Sequence, residues 1–220
     1  MNNKDLSKQI SILLNQFNAK NYEIVISKGN ILLKKNPEYV ILYNLIGSAF
    51  QNKGDYINAK KKFKDGLKLD SNNVALMNNL GLSHKNLLEY DLAEKIFLKI
   101  IDLNNNYVNA YINLGNLKRD LNKFSEAIKL YEEALLKSKQ SPVILYSLAL
   151  AHQGIGNFEK SFNYSKEALK LNPDFTRADH LISQSKKYNI HDEHYQSLKN
   201  KIQKFKSDSL EKVDIYFSLA

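Results

Sequence analysis

Residues 43–50 read Tyr-Asn-Leu-Ile-Gly-Ser-Ala-Phe, and variants of this octapeptide recur three times further along the chain. The small residue at its fifth place is Gly47, Gly81, Gly115 and Ala149, at equal intervals along the chain. A fixed period of about 34 residues indicates a repeat architecture in which each unit is one helix-turn-helix. The other copies are Met77-Asn-Asn-Leu-Gly-Leu-Ser-His84, Tyr111-Ile-Asn-Leu-Gly-Asn-Leu-Lys118 and Leu145-Tyr-Ser-Leu-Ala-Leu-Ala-His152.

The clearest unit, 40–73, shows why these residue types recur. Gly47 in the first helix and Ala59 in the second are small, because a bulky side chain at either place would wedge the pair apart. Tyr56 and Phe63 supply aromatic rings that fill the space between helix layers. The repeat therefore predicts closely packed helix pairs. We call the first helix of each pair the A helix and the second the B helix.

The pattern divides the chain into four predicted parts. The final part holds one amphipathic helix without a partner, which is unusual because terminal units need a polar outer face. We therefore expect the chain to be a fragment, with a lone capping helix as the alternative. The parts are a degenerate first repeat at 1–38, four regular units at 39–175, an atypical repeat or junction at 176–209 that ends near Ser207-Asp208-Ser209, and the start of a further, truncated helix at 210–220.

This pattern resembles that of tetratricopeptide-repeat proteins over nearly the whole chain. The resemblance is carried by the Leu/Ile-Gly/Ala pair, by the turn Gly54-Asp-Tyr56, by Ala59 three residues further on, and by Asn172-Pro173 at a unit end. It implies an all-α fold, a right-handed superhelical solenoid of helix-turn-helix repeats. The concave groove of such proteins is lined by A helices and holds a peptide or partner segment.

A narrower resemblance concerns residues 178–220. Ala178-Asp-His-Leu-Ile182 and Val213-Asp-Ile-Tyr-Phe-Ser-Leu-Ala220 look like the junction in bacterial repeat-containing sulfotransferases. This resemblance implies that the repeats recruit substrate for a transferase whose catalytic domain lies beyond Ala220, with a glycosyltransferase as the alternative. The rival hypothesis is a free-standing scaffold or assembly factor.

The positive charge of the chain permits several kinds of partner. The net charge of +9 permits attraction to nucleic acid, anionic lipid or acidic proteins. No basic cluster with interleaved aromatic residues is present in the sequence, so we interpret the charge as a solvated lysine-rich surface. Nonspecific nucleic-acid binding is the weaker alternative.

Cellular location is inferred from features that the sequence lacks. The chain has no cysteine, which excludes disulfides, thiolate nucleophiles and cysteine-bound zinc. The apolar stretch at 10–14 is too short for the core of a signal peptide, and no window approaches the roughly 18 apolar residues of a membrane span. We therefore expect a cytoplasmic protein that binds a protein or peptide and no membrane.

The repeat register assigns the groove-facing positions of the A helices, and amide side chains predominate there. An amide offers both a donor and an acceptor, so a row of amides can pair with the backbone of an extended peptide. Repeat-containing O-linked N-acetylglucosamine transferases are similar in using such an asparagine ladder, which Asn79 and Asn113 match. The alternative is that asparagine is simply abundant throughout. The predicted peptide-binding residues are Asn44, Gln51, Asn78, Asn79, Lys85, Asn86, Asn109, Asn113, Asn116, Arg119, Tyr146 and Gln153.

Two of these residues also suggest a carboxylate site. Lys85 and Arg119 stand one repeat apart on the same face, where chaperone-binding members of the family hold a carboxylate. Most other basic and asparagine positions that those members use are not matched here. The carboxylate clamp is therefore the weaker prediction.

Catalytic and metal chemistry find little support in the sequence. His191-Asp-Glu-His194 has two histidines three apart without a third ligand near in sequence, so we interpret it as a polar turn. His84 and His152 are predicted to pack against B helices. No spacing nominates a catalytic triad, and no glycine-rich phosphate loop is present. We expect no catalytic residue, metal or cofactor in this chain; whether the whole protein is an enzyme depends on the sequence beyond Ala220.

Overall fold

The computed structural model describes residues 3–184, 188–189, 191–205 and 209–219, and every regular element among them is an α-helix. The predicted all-α class is confirmed. The chain divides into two compact units, one up to Ala110 and one from Tyr111, which we call the first unit and the second unit. The helices that begin in the first unit are α1 (Asn3–Asn18), α2 (Tyr22–Lys35), α3 (Val40–Asn52), α4 (Tyr56–Leu67), α5 (Val74–Asn86), α6 (Tyr90–Leu103) and α7 (Val108–Asp120).

The second unit continues the alternation of A and B helices. It contains most of α7, and α8 is the corresponding B helix. The residues of the predicted boundary at Ser207-Asp208-Ser209 lie outside the described part of the chain except Ser209. The remaining helices are α8 (Phe124–Lys137), α9 (Pro142–Gly154), α10 (Phe158–Leu171), α11 (Thr176–Ser183), α12 (Glu193–Lys204) and α13 (Leu210–Leu219).

Side-chain oxygens cap several helices at their N-termini. Asp55 accepts a hydrogen bond from the Asn58 backbone N–H at 3.1 Å, and Asn73 accepts one from Leu76 N–H at 3.0 Å. Asn157 caps α10 in the same way. Each cap satisfies a backbone donor that the helix itself leaves unpaired. The polar turns between consecutive helices therefore set where these helices begin.

A glycine in the A helix packs on an aromatic ring of its own B helix. A Cβ atom added to Gly47 would lie 2.4 Å from the nearest Phe63 ring carbon, and one added to Gly81 would lie 2.6 Å from Phe97. Gly115 meets Tyr131 in the same way at 2.5 Å. The glycine is therefore required because the ring occupies the place where its side chain would be.

The last described helices are held partly by polar contacts. Asp179 of α11 is fully buried, and its carboxylate accepts hydrogen bonds from His194 Nε2 at 2.9 Å and Lys201 Nζ at 2.6 Å, both on α12. Thr176 Oγ1 donates to Asp214 Oδ2 of α13 at 2.9 Å. A buried carboxylate at this place requires its charge partners, since an unpaired buried charge is strongly destabilising.

Candidate functional site

The A helices α3 and α5 adjoin in the first unit, and amide side chains meet where they do. Asn79 Nδ2 donates a hydrogen bond to Asn44 Oδ1 at 2.8 Å and approaches Ser48 Oγ at 3.5 Å. Gln51 Nε2 reaches the backbone carbonyl of Asn79 at 3.5 Å. These residues form a bonded amide cluster, Asn44, Ser48, Gln51 and Asn79, on the side of the A helices that the register assigns to the groove.

The amide cluster retains hydrogen-bonding capacity. An asparagine amide has two N–H donors and one carbonyl acceptor. Within the described residues, the Asn44 amide nitrogen donates no hydrogen bond and the Asn79 amide oxygen accepts none. Both residues are partly exposed. The bond between them therefore fixes the two side chains and leaves a donor and an acceptor for an external group.

The other predicted residues of α5 differ from Asn79 in exposure. Asn78 is buried, with 7% of its surface exposed, and it has an interaction partner inside the protein. Lys85 is partly exposed and also has a partner. Asn86 is exposed and donates from Nδ2 to the Leu82 carbonyl at 2.8 Å. Burial therefore leaves Asn78 little surface for contact with a bound segment, whereas Asn79, Lys85 and Asn86 are at least partly exposed.

The α7 residues of the predicted site lie in different surroundings. Asn109 is exposed near the start of the helix, whereas Asn113 is partly exposed and has a partner. Asn116 Oδ1 accepts a hydrogen bond from the buried Tyr131 hydroxyl at 2.8 Å. Asn116 therefore stabilises the fold, because the buried Tyr131 hydroxyl needs a hydrogen-bond partner.

Arg119, Tyr146 and Gln153 lie in the second unit. Arg119 Nη2 is 3.5 Å from Asp120 Oδ1. The Tyr146 ring packs edge-on against Phe175, with ring centroids 5.3 Å apart. Gln153 Nε2 donates to Gln184 Oε1 at 2.9 Å, which joins α9 to α11.

The predicted carboxylate clamp is not tested by these positions. Lys85 belongs to the first unit and Arg119 to the second. The candidate residues are therefore described within each unit, and the clamp stays a prediction.

Sequence reasoning missed Arg177, an exposed residue of α11 whose charge opposes the burial-raised pKa of Tyr146. The sequence could have shown its position, because Arg177 stands two repeat periods after Asn109, one of the predicted groove residues. The predicted register stops at residue 175, since the pattern loosens there. The same extension finds Gln184, two periods after Asn116.

The histidines of α5 and α9 are buried against their B helices or the turns that lead into them. His84 Nδ1 contacts the Glu89 carboxylate, which also accepts from Lys60 Nζ at 2.8 Å. Burial lowers the pKa of His84, against the opposing effect of Glu89. His152 stacks on Tyr164 with ring centroids 5.5 Å apart. The stacking of His152 agrees with the predicted packing against a B helix, whereas the contact of His84 is with Glu89 in the turn that precedes α6.

The histidine at the start of α12 is engaged in hydrogen bonds. His194 contacts Asp179 and the Tyr188 hydroxyl. Among the side chains that the structure describes, no group of three or more His, Cys, Asp or Glu residues is placed to hold a metal ion. In the same part of the chain, none of the helices combines the length and apolar character needed to cross a bilayer.

Family comparison agrees with the repeat pattern. Family models described as tetratricopeptide repeat match residues 40–73, 74–107, 108–141 and 143–175, which together are more than half of the chain. A search of curated proteins found no significant match.

Solved structures share the fold at low sequence identity. Pseudomonas aeruginosa pilF is 16% identical, with a TM-score of 0.73 and 97% of each chain covered. MamA is 22% identical, with a TM-score of 0.57 over 82% of this chain and 89% of that chain. YrrB, described as a TPR protein with an unusual peptide-binding site, is 20% identical, with a TM-score of 0.58 over 78% of this chain and 88% of that chain. At such identities the likeness shows the fold.

Proposed function

Because the chain belongs to the tetratricopeptide repeat family, we propose that it is a protein-interaction module that holds an extended segment of a partner protein along its A helices. The observation that carries the proposal is the bonded pair Asn44 and Asn79. Its remaining donor and acceptor match the alternating carbonyl and N–H groups of an extended backbone. The peptide-binding site reported for YrrB supports the same kind of function.

Backbone pairing predicts a particular kind of selectivity. Main-chain groups are common to all residues, so amides that pair with them contribute affinity without reading side chains. The amide cluster is uncharged, and its charge complementarity to a partner is therefore small. We expect the first unit to bind extended segments of varied sequence and to retain them at high salt concentration.

The test begins with a displayed library of random peptides, from which those that bind the purified chain are selected. Peptides of about 12 residues are long enough to pair with several A-helix positions. Selected peptides should shift the side-chain amide NMR signals of Asn44, Asn79 and Gln51. Replacing Asn44 and Asn79 together by Ala should weaken binding about tenfold or more, since two hydrogen bonds are lost. Thermal unfolding should change little, because both side chains are partly exposed.

The matched control is Asn163→Ala, which removes an exposed asparagine of the B helix α10. This variant should bind the selected peptides as the unaltered chain does. If Asn163→Ala weakens binding as much as the double variant, or if the double variant binds normally, the amide cluster is not the peptide site. Asn116 is unsuitable for this test, because its replacement would leave the buried Tyr131 hydroxyl without its acceptor.

The hypothesis that this chain is the substrate-recruiting arm of a larger transferase stays a prediction. The family and structural matches above support the repeat fold and give the sulfotransferase resemblance no added support. Reading the gene beyond the codon for Ala220 tests it. A phosphate-binding loop on a strand-turn-helix would support the transferase hypothesis, and an immediate stop codon would leave the scaffold or assembly factor.

A further inference from the structure

Lysine in the first unit is concentrated on two neighbouring B helices, α2 and α4. These helices contain seven lysines and two carboxylates, Glu23 and Asp65. The A helix between them, α3, contains no charged residue, and the next B helix, α6, has more acidic than basic side chains. The positive charge therefore lies mainly on α2 and α4, whereas the amide cluster belongs to the A helices α3 and α5.

The exposed residues of α2 and α4 form similar stripes, because residues spaced three or four apart share one side of a helix. Lys62 Nζ of α4 donates a hydrogen bond to Asn30 Oδ1 of α2 at 2.7 Å, so the two helices lie side by side. Both stripes are exposed, and we call them together the lysine–isoleucine face. They are Ile24, Lys28, Ile31 and Lys35 on α2, and Ile57, Lys61, Lys64 and Lys68 on α4 and its C-cap.

Most lysines of this region have no acidic partner. Glu23 contacts Lys53, and Asp65 Oδ1 accepts a hydrogen bond from Lys68 Nζ at 2.6 Å, so both carboxylates are already paired. Lysines whose charges are not compensated attract an anionic partner. Among the residues that the structure describes, the exposed lysines of the two helices that form no ion pair are Lys28, Lys34, Lys35, Lys61 and Lys64.

Exposed isoleucines lie among these lysines. Ile31 is 60% exposed between Lys28 and Lys35, and Ile57 is 69% exposed one turn before Lys61. Apolar side chains among ammonium groups fit a partner that is charged at its surface and apolar just beneath. A bilayer with anionic lipid has this order, because its hydrocarbon begins below the headgroups.

Two other anionic partners fit the lysine–isoleucine face less well. Nucleic acid is held by arginine forks and by aromatic side chains on which bases stack. The two helices contain no arginine, and their aromatic residues Tyr22, Tyr56 and Phe63 are buried or partly buried. Interfaces with proteins are depleted of lysine, which dominates this face.

We propose that the lysine–isoleucine face attaches the chain to a membrane surface that contains anionic lipid. The lysines attract the headgroups, and their methylene stems lie along apolar surface while the ammonium groups stay in water. The isoleucines enter the boundary between headgroups and acyl chains, as apolar side chains of interfacial helices do.

Surface attachment is compatible with the other conclusions about the chain. The expectation that the chain binds no membrane rests on the lack of a spanning segment, and attachment to a surface needs none. The inference goes beyond the proposed function and does not depend on it, because the amide cluster belongs to the A helices.

Co-sedimentation with vesicles tests the proposal on the full chain. Vesicles of phosphatidylcholine alone are compared with vesicles in which about one quarter of the lipid is phosphatidylglycerol. The chain should sediment with the anionic vesicles, and less of it should do so as the salt concentration rises. It should stay in solution with phosphatidylcholine alone.

Paired lysine substitutions locate the binding surface. Lys61→Gln combined with Lys64→Gln should weaken binding to the anionic vesicles about tenfold, because two charges leave the face. The matched control is Lys95→Gln combined with Lys99→Gln, which removes the same net charge from exposed positions of α6 and should change binding much less. Thermal unfolding checks that both variants remain folded.

Isoleucine substitutions separate a membrane from a soluble polyanion. Ile31→Ser combined with Ile57→Ser leaves the charge unchanged and should weaken binding to the anionic vesicles about tenfold, since two apolar side chains no longer enter the bilayer. The control is Leu98→Ser, at a 45% exposed leucine of α6, which should bind as the unaltered chain does. Polyglutamate and duplex DNA, titrated in parallel, should bind more weakly than the anionic vesicles.

Three results would overturn the proposal. The first is equal sedimentation with both kinds of vesicle, or with neither. The second is an equal loss of binding in the α4 lysine variant and its α6 control, which would mean that net charge alone attracts the lipid. The third is tighter binding of polyglutamate or DNA, which would mean a soluble acidic partner. The proposed function is tested separately, by the shifts that selected peptides cause in the signals of Asn44 and Asn79.

Discussion

One backbone dihedral angle recurs at the turn between the A and B helices. Among the residues that the structure describes, the φ angle is positive at five positions, each one repeat period from the next. A positive φ is the left-handed region, which glycine adopts readily and which costs most other residues about 1–2 kcal/mol. Lysine and leucine lack the tolerance for this region that glycine and asparagine have. They are Lys20 (φ 61°), Gly54 (φ 80°), Leu88 (φ 61°), Asn122 (φ 58°) and Gly156 (φ 76°).

Replacing Leu88 by Gly should therefore stabilise the protein. Leu88 is 70% exposed, so its side chain contributes little to the core. We expect the free energy of unfolding in urea to rise by about 0.5–1 kcal/mol, after the greater chain entropy of glycine is subtracted. The control is Leu69→Gly, at an exposed leucine without a positive φ, which should not stabilise the chain. A loss of stability in Leu88→Gly would show that the leucine side chain packs on something that outweighs the backbone strain.

Neighbouring asparagines show what sequence could and could not predict at this scale. The register places Asn78 and Asn79 near the groove, but a helix rotates about 100° per residue. Asn79 consequently bonds to Asn44, whereas Asn78 is buried. The role of Asn116 as a hydrogen-bond acceptor could have been predicted from the sequence. Tyr131 replaces the phenylalanine of earlier repeats, and its buried hydroxyl needs an acceptor.

His84 predicts a dependence of stability on pH. Burial lowers the pKa of His84 in the folded protein below its ordinary value of 6.5. Well above pH 6.5 both folded and unfolded states are neutral at this residue, and the full stability is present. As the pH falls below that value, the unfolded state binds a proton more readily than the folded state. The free energy of unfolding should therefore decrease as the pH falls from about 7 towards 5.

The measurement compares urea unfolding across this pH range for the unaltered chain and for His84→Phe. Phenylalanine occupies the equivalent place in the preceding unit, at Phe50, so the substitution suits the helix pair. The variant should lose stability less steeply on acidification. His152 also has a pKa lowered by burial, so a residual slope is expected. Identical slopes in the two proteins would contradict the prediction for His84.

The helix pair α9–α10 departs from the packing of the earlier pairs. Ala149 replaces the glycine and Ser165 replaces the aromatic ring. Ser165 and Ser161 are buried, and neither hydroxyl has a hydrogen-bond partner among the described residues. Both ring nitrogens of His152 share this condition. Buried polar groups without partners cost about 1–3 kcal/mol each, so this pair should be less stable than its neighbours.

Two substitutions in the α9–α10 pair should give it the glycine–ring packing of the earlier pairs. Ser165→Phe alone should destabilise the chain, because the Ala149 Cβ stands where the ring would lie, as Gly47 and Phe63 show. Combining it with Ala149→Gly removes that clash. A double-mutant cycle measured by urea unfolding should therefore give a favourable coupling of about 1–3 kcal/mol. Additive effects of the two substitutions would mean that the ring finds another place.

At the scale of the whole chain, the repeat period of the sequence predicted the regular features of the fold. The alternation of A and B helices and the glycine–ring pairs result from residue types at fixed spacing. The polar contacts of α11 do not, because Asp179 stands where earlier units carry an apolar residue or tyrosine. Its partners His194 and Lys201 come from α12, outside the regular repeat. Long-range ion pairs of this kind have no local pattern from which to infer them.

The glycine–ring pairs also bear on how the chain acquires its structure. Gly47 and Phe63 lie in consecutive helices, and the same short separation along the chain joins Gly81 to Phe97 and Gly115 to Tyr131. Contacts between residues so near in sequence have a small loop-closure cost and favour rapid folding. Successive helix pairs can therefore pack onto a growing array in the order of their synthesis, before the rest of the protein has been synthesised. Nascent chains would then present a partially built array to chaperones in place of an unfolded polypeptide.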